Sequence, residues 1–446
     1  MLAIVLALTA AQPGDASGAE AQMGPWTLAD CLAYALEHAP RLEAERHRIG
    51  AAEQSTREAE SASAPRVGVS GSAAAQGAVV RINIPGMPGP VTVKPPMQAG
   101  LSVQVALPID ISHRLRHTRQ AARFSEAAQR DMYRQAVQQL LLEVTTGYFR
   151  VLGAQALTEA ARADLVRTEG DVRLVSARQD AGAATPADVA LAESARARAA
   201  EAVASTEGAA ADAQANLATL IGRRADEAPE LVDEPLALDW SLEWEQARDV
   251  ALEERPELAA LSMGARALGA SADAVHASSR PSLSLGAMAG LSTPTAFSSD
   301  QEWRIGLSFS WPLSDGGATD AQESRLHESQ AAALKDLEDT RLRIELQVRA
   351  AITNLSVLGE RITADEAALA RAETALRQVQ ARQAAGAARR QDVVTAEAAR
   401  ASALAVLKRD RCDRSVSLAE WGRALGVLDK LMTVDGDATA PEEAIR

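Results

Sequence analysis

Apolar positions in this chain keep two different rhythms. Val137, Leu140, Leu141, Val144, Tyr148, Val151 and Leu152 recur every three or four residues with charged residues between them, and Val348, Ile352, Leu355 and Ile362 do the same. That spacing predicts long helices carrying one coiled-coil-like seam. Residues 66–80 (RVGVSGSAAAQGAVV) and 98–107 (QAGLSVQVAL) instead alternate apolar with small or polar side chains, and so do 282–291 (SLSLGAMAGL) and 303–313 (WRIGLSFSWPL). Alternation predicts strands, and about ten residues suffice to cross a bilayer as a tilted strand. The segment between the first two strands is dense in Pro and Gly and reads as a loop.

The pattern occurs twice. Ala35-Leu36-Glu37 and Pro40 recur as Ala251-Leu252-Glu253 and Pro256, 216 positions later, and Pro65 recurs as Pro281. From Pro108 and Pro312 onward the offset is 204, and it also links Gly182 with Gly386, Asp188 with Asp392, and Gly222 with Gly426. The 12-residue difference therefore falls between Pro65 and Pro108, in the loop. A length held constant over the rest marks a rigid element. Each half reads helix, strand, loop, strand, long helix, tight turn, helix. The leading helix is expected over 27–61, with Thr27 or Asp30 as cap. Long helices are expected over 112–181, 185–222, 316–385 and 389–426. A 70-residue helix would span roughly 100 Å. Gly182 and Gly386 are placed to reverse the chain with left-handed backbone.

Composition sharpens this picture. Of 446 residues, 47% are hydrophobic but only 3% aromatic, which suits closely packed helices better than several bulky globular cores. With 46 basic against 60 acidic residues the net charge is −14, which disfavours nucleic acid or an anionic membrane surface as partner. Two cysteines, Cys31 and Cys412, exclude a CxxC metal or redox site but leave one disulfide open. Residues 2–11 are apolar and are followed by small residues, so 1–19 is expected to be a signal peptide, though its positively charged start is missing. No apolar run approaches 18 residues, so membrane insertion would have to use strands. Four strands with open edges cannot stand alone in a bilayer, so oligomerisation is expected to close them.

The repeated A-L-x-x-x-P-x-L motif, the proline-ended strands (LPID at 107–110, WPLSDGG at 311–317), the A-G-A-A-x-x-x-D-V turns and the Leu-Gly helix ends resemble TolC-type outer-membrane factors. The resemblance covers roughly 27–428 in both halves. It implies a mainly α fold with a membrane β-barrel portion: long helical hairpins forming a trimeric α-barrel, and four strands per subunit in a 12-stranded barrel. It divides the chain into repeats at 27–222 and 244–426, a linker at 223–243 and a tail at 427–446. It also implies a homotrimer embedded in outer-membrane lipid, with its tunnel in the periplasm, docking on a periplasmic adaptor and an inner-membrane pump of RND or ABC type. No enzymatic activity and no cofactor are implied.

Candidate chemistry sits at the two turns. Thr185, Pro186 and Asp188 form a helix start, with Thr as cap and the acid three residues on. Asp392 takes the matching place, but Arg389 is a poor cap. The functional alternative makes Gly182, Thr185, Asp188, Gly386, Arg389, Arg390 and Asp392 a periplasmic gate and adaptor-docking tip. There Asp392 would form an acidic constriction and Arg389 or Arg390 would pair with Asp188 across helices. His113 and His117 are spaced as half a metal site, and Trp303, Phe309 and Trp311 read as lipid-facing aromatics. Two function classes follow: an export duct, for small-molecule efflux or type I protein secretion, and a periplasmic coiled-coil protein without a pore. The four strands argue for the duct, because a filament has no use for them.

Overall fold

The computed structural model describes residues 25–432 except 76, 78, 87, 95–96, 237–241 and 293–300. The expected signal peptide and residues 433–446 lie outside it. Each half begins with a pair of helices, α1 (Leu28–His38) and α2 (Pro40–Ser61), mirrored later by α5 (Trp244–Glu254) and α6 (Pro256–Ser278). The expected single helix over 27–61 is thus broken at Ala39. A proline crowds the residue before it out of the helical region, and Ala39 (ψ 117°) and Arg255 (ψ 117°) are both extended.

Strands follow: β1 (Arg66–Ala75), β2 (Val80–Ile82), β3 (Val91–Lys94) and β4 (Met97–Ile109) in the first half, then β5 (Ser282–Ser292) and β6 (Gln301–Ser310) in the second. The strand expected over 66–80 stops at Ala75, and β2 and β3 form a separate antiparallel hairpin within the expected loop. Pro108 does not end its strand, since β4 runs to Ile109, whereas β6 stops before Pro312. The main sheet has the order β1-β4-β5-β6, antiparallel throughout, so the two repeats join at β4–β5 and leave β1 and β6 as edges.

The long helices are α3 (Arg114–Asp180), α4 (Pro186–Leu220), α7 (Ala318–Ala384) and α8 (Arg390–Leu425), with a short α9 (Leu428–Met432). Helix α2 packs on α3, α3 on α6, and α6 on α7, the lateral order of the strands they adjoin. Farther from the sheet, α4 packs on α3, α3 on α8, and α8 on α7. The result is one wall of helices continuing one sheet.

The apolar core sits midway along this wall, where each repeat's helix ends meet its leading pair. Gly222 (φ 88°) lies against the α1–α2 break, and a Cβ there would meet the His38 carbonyl oxygen at 2.7 Å. Gly426 (φ 78°) repeats this against Glu254 and Arg255. Around the first junction Leu42, Leu141, Val144, Tyr148 and Leu217 are fully enclosed; around the second, Val348, Trp421 and Leu425. Each such side chain contributes roughly 1.5–3 kcal/mol. Cys31 and Cys412 share the first core as free thiols, and burial pushes both up to about 12.

Candidate functional site

The two hairpin turns are built alike. Gly182 (φ 72°) and Gly386 (φ 71°) take the left-handed conformation that ends α3 and α7. Ala183 N–H then reaches the Arg178 carbonyl at 2.7 Å, and Ala387 N–H the Arg382 carbonyl at 2.7 Å, closing otherwise unsatisfied helix ends. In the first turn Thr185 and Asp188 form a full capping box. The Asp188 carboxylate accepts from the Thr185 N–H and hydroxyl, both at 2.8 Å, and Asp188 N–H donates back to Thr185 Oγ1 at 3.2 Å. Those bonds hold the Asp188 carboxyl below the usual range. In the second turn Asp392 accepts from Arg389 N–H at 2.8 Å. An arginine side chain has no acceptor to return, so only half the box exists.

Thr185, Asp188, Arg389 and Asp392 therefore each serve a helix start. Among the described residues, no ion pair within one chain joins Arg389 or Arg390 to Asp188, whose carboxylate is taken up by Thr185.

What ties the second turn to the first repeat is Gln391, a residue sequence reasoning passed over. Its Nε2 donates to the Arg167 carbonyl and to Asp171 Oδ1, both at 2.8 Å. Arg167 in turn bridges Asp164 and Asp171 at 2.8 Å each. Gly170 makes room: a Cβ there would collide with the Gln391 amide. Beyond Asp171, α3 continues to Asp180, about 14 Å, so the first turn projects past this tie. A glycine inside a helix was the one signal available in the chain.

At the other end the sheet has two unlike faces. Across paired registers one face carries Val69–Val103–Ala289–Trp303 and Gly71–Leu101–Leu291–Gln301, continued by Val67, Val105, Leu285, Ile305, Leu307 and Phe309. Trp303 is 78% exposed and Val67 and Val69 are each 69% exposed, so the apolar face is bare in the single chain. The opposite face carries Ser70, Ser102, Gln104, Met288, Glu302 and Arg304, with Ser70 and Ser102 hydrogen-bonded at 2.8 Å. A sheet bare and apolar on one side and polar on the other fits lipid against one face and water against the other.

The sequence profile of outer membrane efflux proteins matches residues 32–223 and 247–427, both repeats. The chain belongs to this family. As an outer membrane efflux protein it is a channel component of the outer membrane, not an enzyme. No curated protein matches by sequence. Its fold is that of solved outer-membrane channels. VceC of Vibrio cholerae is 21% identical with a TM-score of 0.72, covering 90% of this chain and 96% of that one. CmeC of Campylobacter jejuni is 15% identical at 0.76 (90% and 85%), and the open state of Neisseria gonorrhoeae MtrE is 20% identical at 0.65 (90% and 89%).

The remaining sequence candidates disperse. His113 caps the start of α3 in left-handed backbone, while His117 turns to Asp273 of α6 at 3.7 Å. Among the described residues no group of three His, Cys, Asp or Glu could hold a metal, and no helix is long and apolar enough to cross a membrane.

Proposed function

We propose that three copies of this chain close into an outer-membrane duct, the last component of a tripartite efflux pump for small molecules. The carrying observation is the four-stranded sheet, with a bare apolar face and, among the described residues, β1 and β6 as its edge strands. Each unpaired backbone group in hydrocarbon costs several kcal/mol, so a spanning sheet must close. Four strands are too few to enclose a lumen, whereas twelve from three chains leave room for one. Closure would put Ser70, Gln104, Glu302 and Arg304 on the water side and Val69, Leu101 and Trp303 against lipid.

The helices keep the lateral order of the strands, so the barrel wall would run on as a tunnel roughly 100 Å long. Its far end carries the turns at Gly182 and Gly386. With Thr185, Asp188, Arg389, Arg390 and Asp392 they would form the gate and the docking surface for a periplasmic adaptor and an inner-membrane pump of RND or ABC type. In the assembly, Arg389 or Arg390 of one chain would reach Asp188 of another. Electron microscopy of the detergent-solubilised protein tests this: a threefold tube with a twelve-stranded barrel is expected, and a monomer without a pore in planar bilayers would overturn it.

A further inference from the structure

Residues 113–124 carry four arginines and two histidines and no acidic residue, in a chain of net charge −14. The equivalent stretch of the second repeat, 317–328, instead holds Asp320, Glu323 and Glu328. The basic stretch is the first turn and a half-dozen further residues of α3, directly below Ile109, where the exposed apolar face of β4 ends. It borders an open cleft of about 670 Å³ lined by His113, Arg116, Arg119, Gln120 and Phe124.

The acids nearby are already engaged. Asp110 also lines the cleft, but its carboxylate accepts from the N–H groups of Leu115 (3.1 Å) and Arg116 (2.9 Å), closing the helix start. Glu60 is paired with Arg123 at 2.7 Å. Arg116 and Arg119 have no carboxylate partner among the described residues, and Arg119 Nε is enclosed without any partner. His113 adds a second sign. It is the sole non-glycine residue with positive φ among the described residues (64°), where the second repeat uses Gly317 (86°). A left-handed non-glycine residue costs on the order of 1 kcal/mol, so the first repeat keeps a strained side chain at the rim of the cleft.

We propose that His113, Arg116, Arg119 and Gln120 bind a phosphate group. Guanidinium groups match phosphate oxygens in pairs of hydrogen bonds, and the cleft brings two of them, Arg116 and Arg119, to one wall. The level of the cleft favours the headgroup of a phospholipid in the periplasmic leaflet, because the hydrocarbon-facing strand ends immediately above it. The same chemistry would hold inorganic phosphate dissolved in the duct. The inference needs the sheet to lie in the outer membrane; it does not depend on trimer closure or on which pump feeds the channel.

Native mass spectrometry of the full-length protein, delipidated and titrated with phosphatidylglycerol, diacylglycerol or inorganic phosphate, tests it. The parent should bind phosphatidylglycerol and not diacylglycerol. The double variant Arg116→Gln/Arg119→Gln should bind at least tenfold more weakly, while Arg173→Gln/Arg196→Gln, which removes two exposed charges elsewhere, should match the parent. His113→Gly should raise thermal stability and weaken binding together. Loss of inorganic phosphate binding in the first double variant, with lipid binding unchanged, would support the site with a dissolved ligand. Equal binding of both phosphates by parent and Arg116→Gln/Arg119→Gln, or equal weakening in the Arg173→Gln/Arg196→Gln control, would overturn it.

Discussion

Gln391 and Asp171 are hydrogen-bonded at 2.8 Å across 220 residues of sequence, pinning the start of α8 to the side of α3. The same amide nitrogen donates to the Arg167 carbonyl, and Gly170 leaves space for it. Gln391→Ala should cost about 1 kcal/mol, the net worth of such bonds. Gly170→Ala should cost about 1–3 kcal/mol, because its methyl displaces the amide. Both should raise resting conductance in planar bilayers if this tie holds the second turn in place. Unchanged conductance in both would show that the tip is held elsewhere.

Asp188 gives a pH signature. Its carboxyl is lowered from 3.8 by the Thr185 backbone and side-chain bonds. A group whose native pKa is depressed stabilises fully above its unfolded value and loses that contribution as pH falls through the native one. The start of α4 should therefore stay capped from neutral pH down to about 4 and fray only below. Amide exchange at 187–189, corrected for intrinsic rates, should show this, and Thr185→Ala should fray at every pH.

In the proposed trimer three Asp392 carboxylates would face one axis and favour cations. Asp392→Asn should shift the reversal potential in a salt gradient toward zero. Arg389→Ala with Asp188→Ala should raise resting conductance. Parent-like behaviour of both would leave the acids as helix caps alone.

The two faces of β1 should respond oppositely to charge. Val69→Arg places an ion against lipid and should cost about 2–4 kcal/mol near mid-membrane. Ser70→Arg, one residue on, faces the polar side and should leave folding in detergent or lipid intact. Comparable yields of heat-resistant assembled protein from both variants would contradict the assignment of faces.

Arg255 is 3% exposed and donates to the Ala424 carbonyl (2.9 Å), Gln347 (2.7 Å) and Glu257 (3.1 Å). Arg255→Ala leaves Glu257 only Arg423, at 3.7 Å, and unpairs the buried Ala424 carbonyl, and should destabilise by about 1–3 kcal/mol. Adding Glu257→Ala should recover part of that loss, as the first repeat manages the equivalent break with Ala39. Denaturant melts of the single and double variants provide the check.

The sequence by itself determined the architecture of each repeat. Period-two and period-3.6 patterns, proline breaks and a constant 204-residue offset are local signals, and local backbone preference obeys them. It also placed Gly182 and Gly386, because a tight helix reversal needs left-handed backbone that glycine adopts freely. It missed the break at Ala39, although Pro40 announced it, because the apolar rhythm continues across the kink. The β2–β3 hairpin was hidden by a Pro- and Gly-rich segment with no sustained alternation.

What only the tertiary structure decided are meetings between residues far apart in the chain. Nothing local marks Gln391 as the partner of Asp171, or Gly222 and Gly426 as the seats of the two helix breaks. The cleft at Arg116 and Arg119 likewise depends on which acids nearby are already engaged. Periodicity states which face of an element is apolar, but the partner for each polar group is chosen by how whole elements pack.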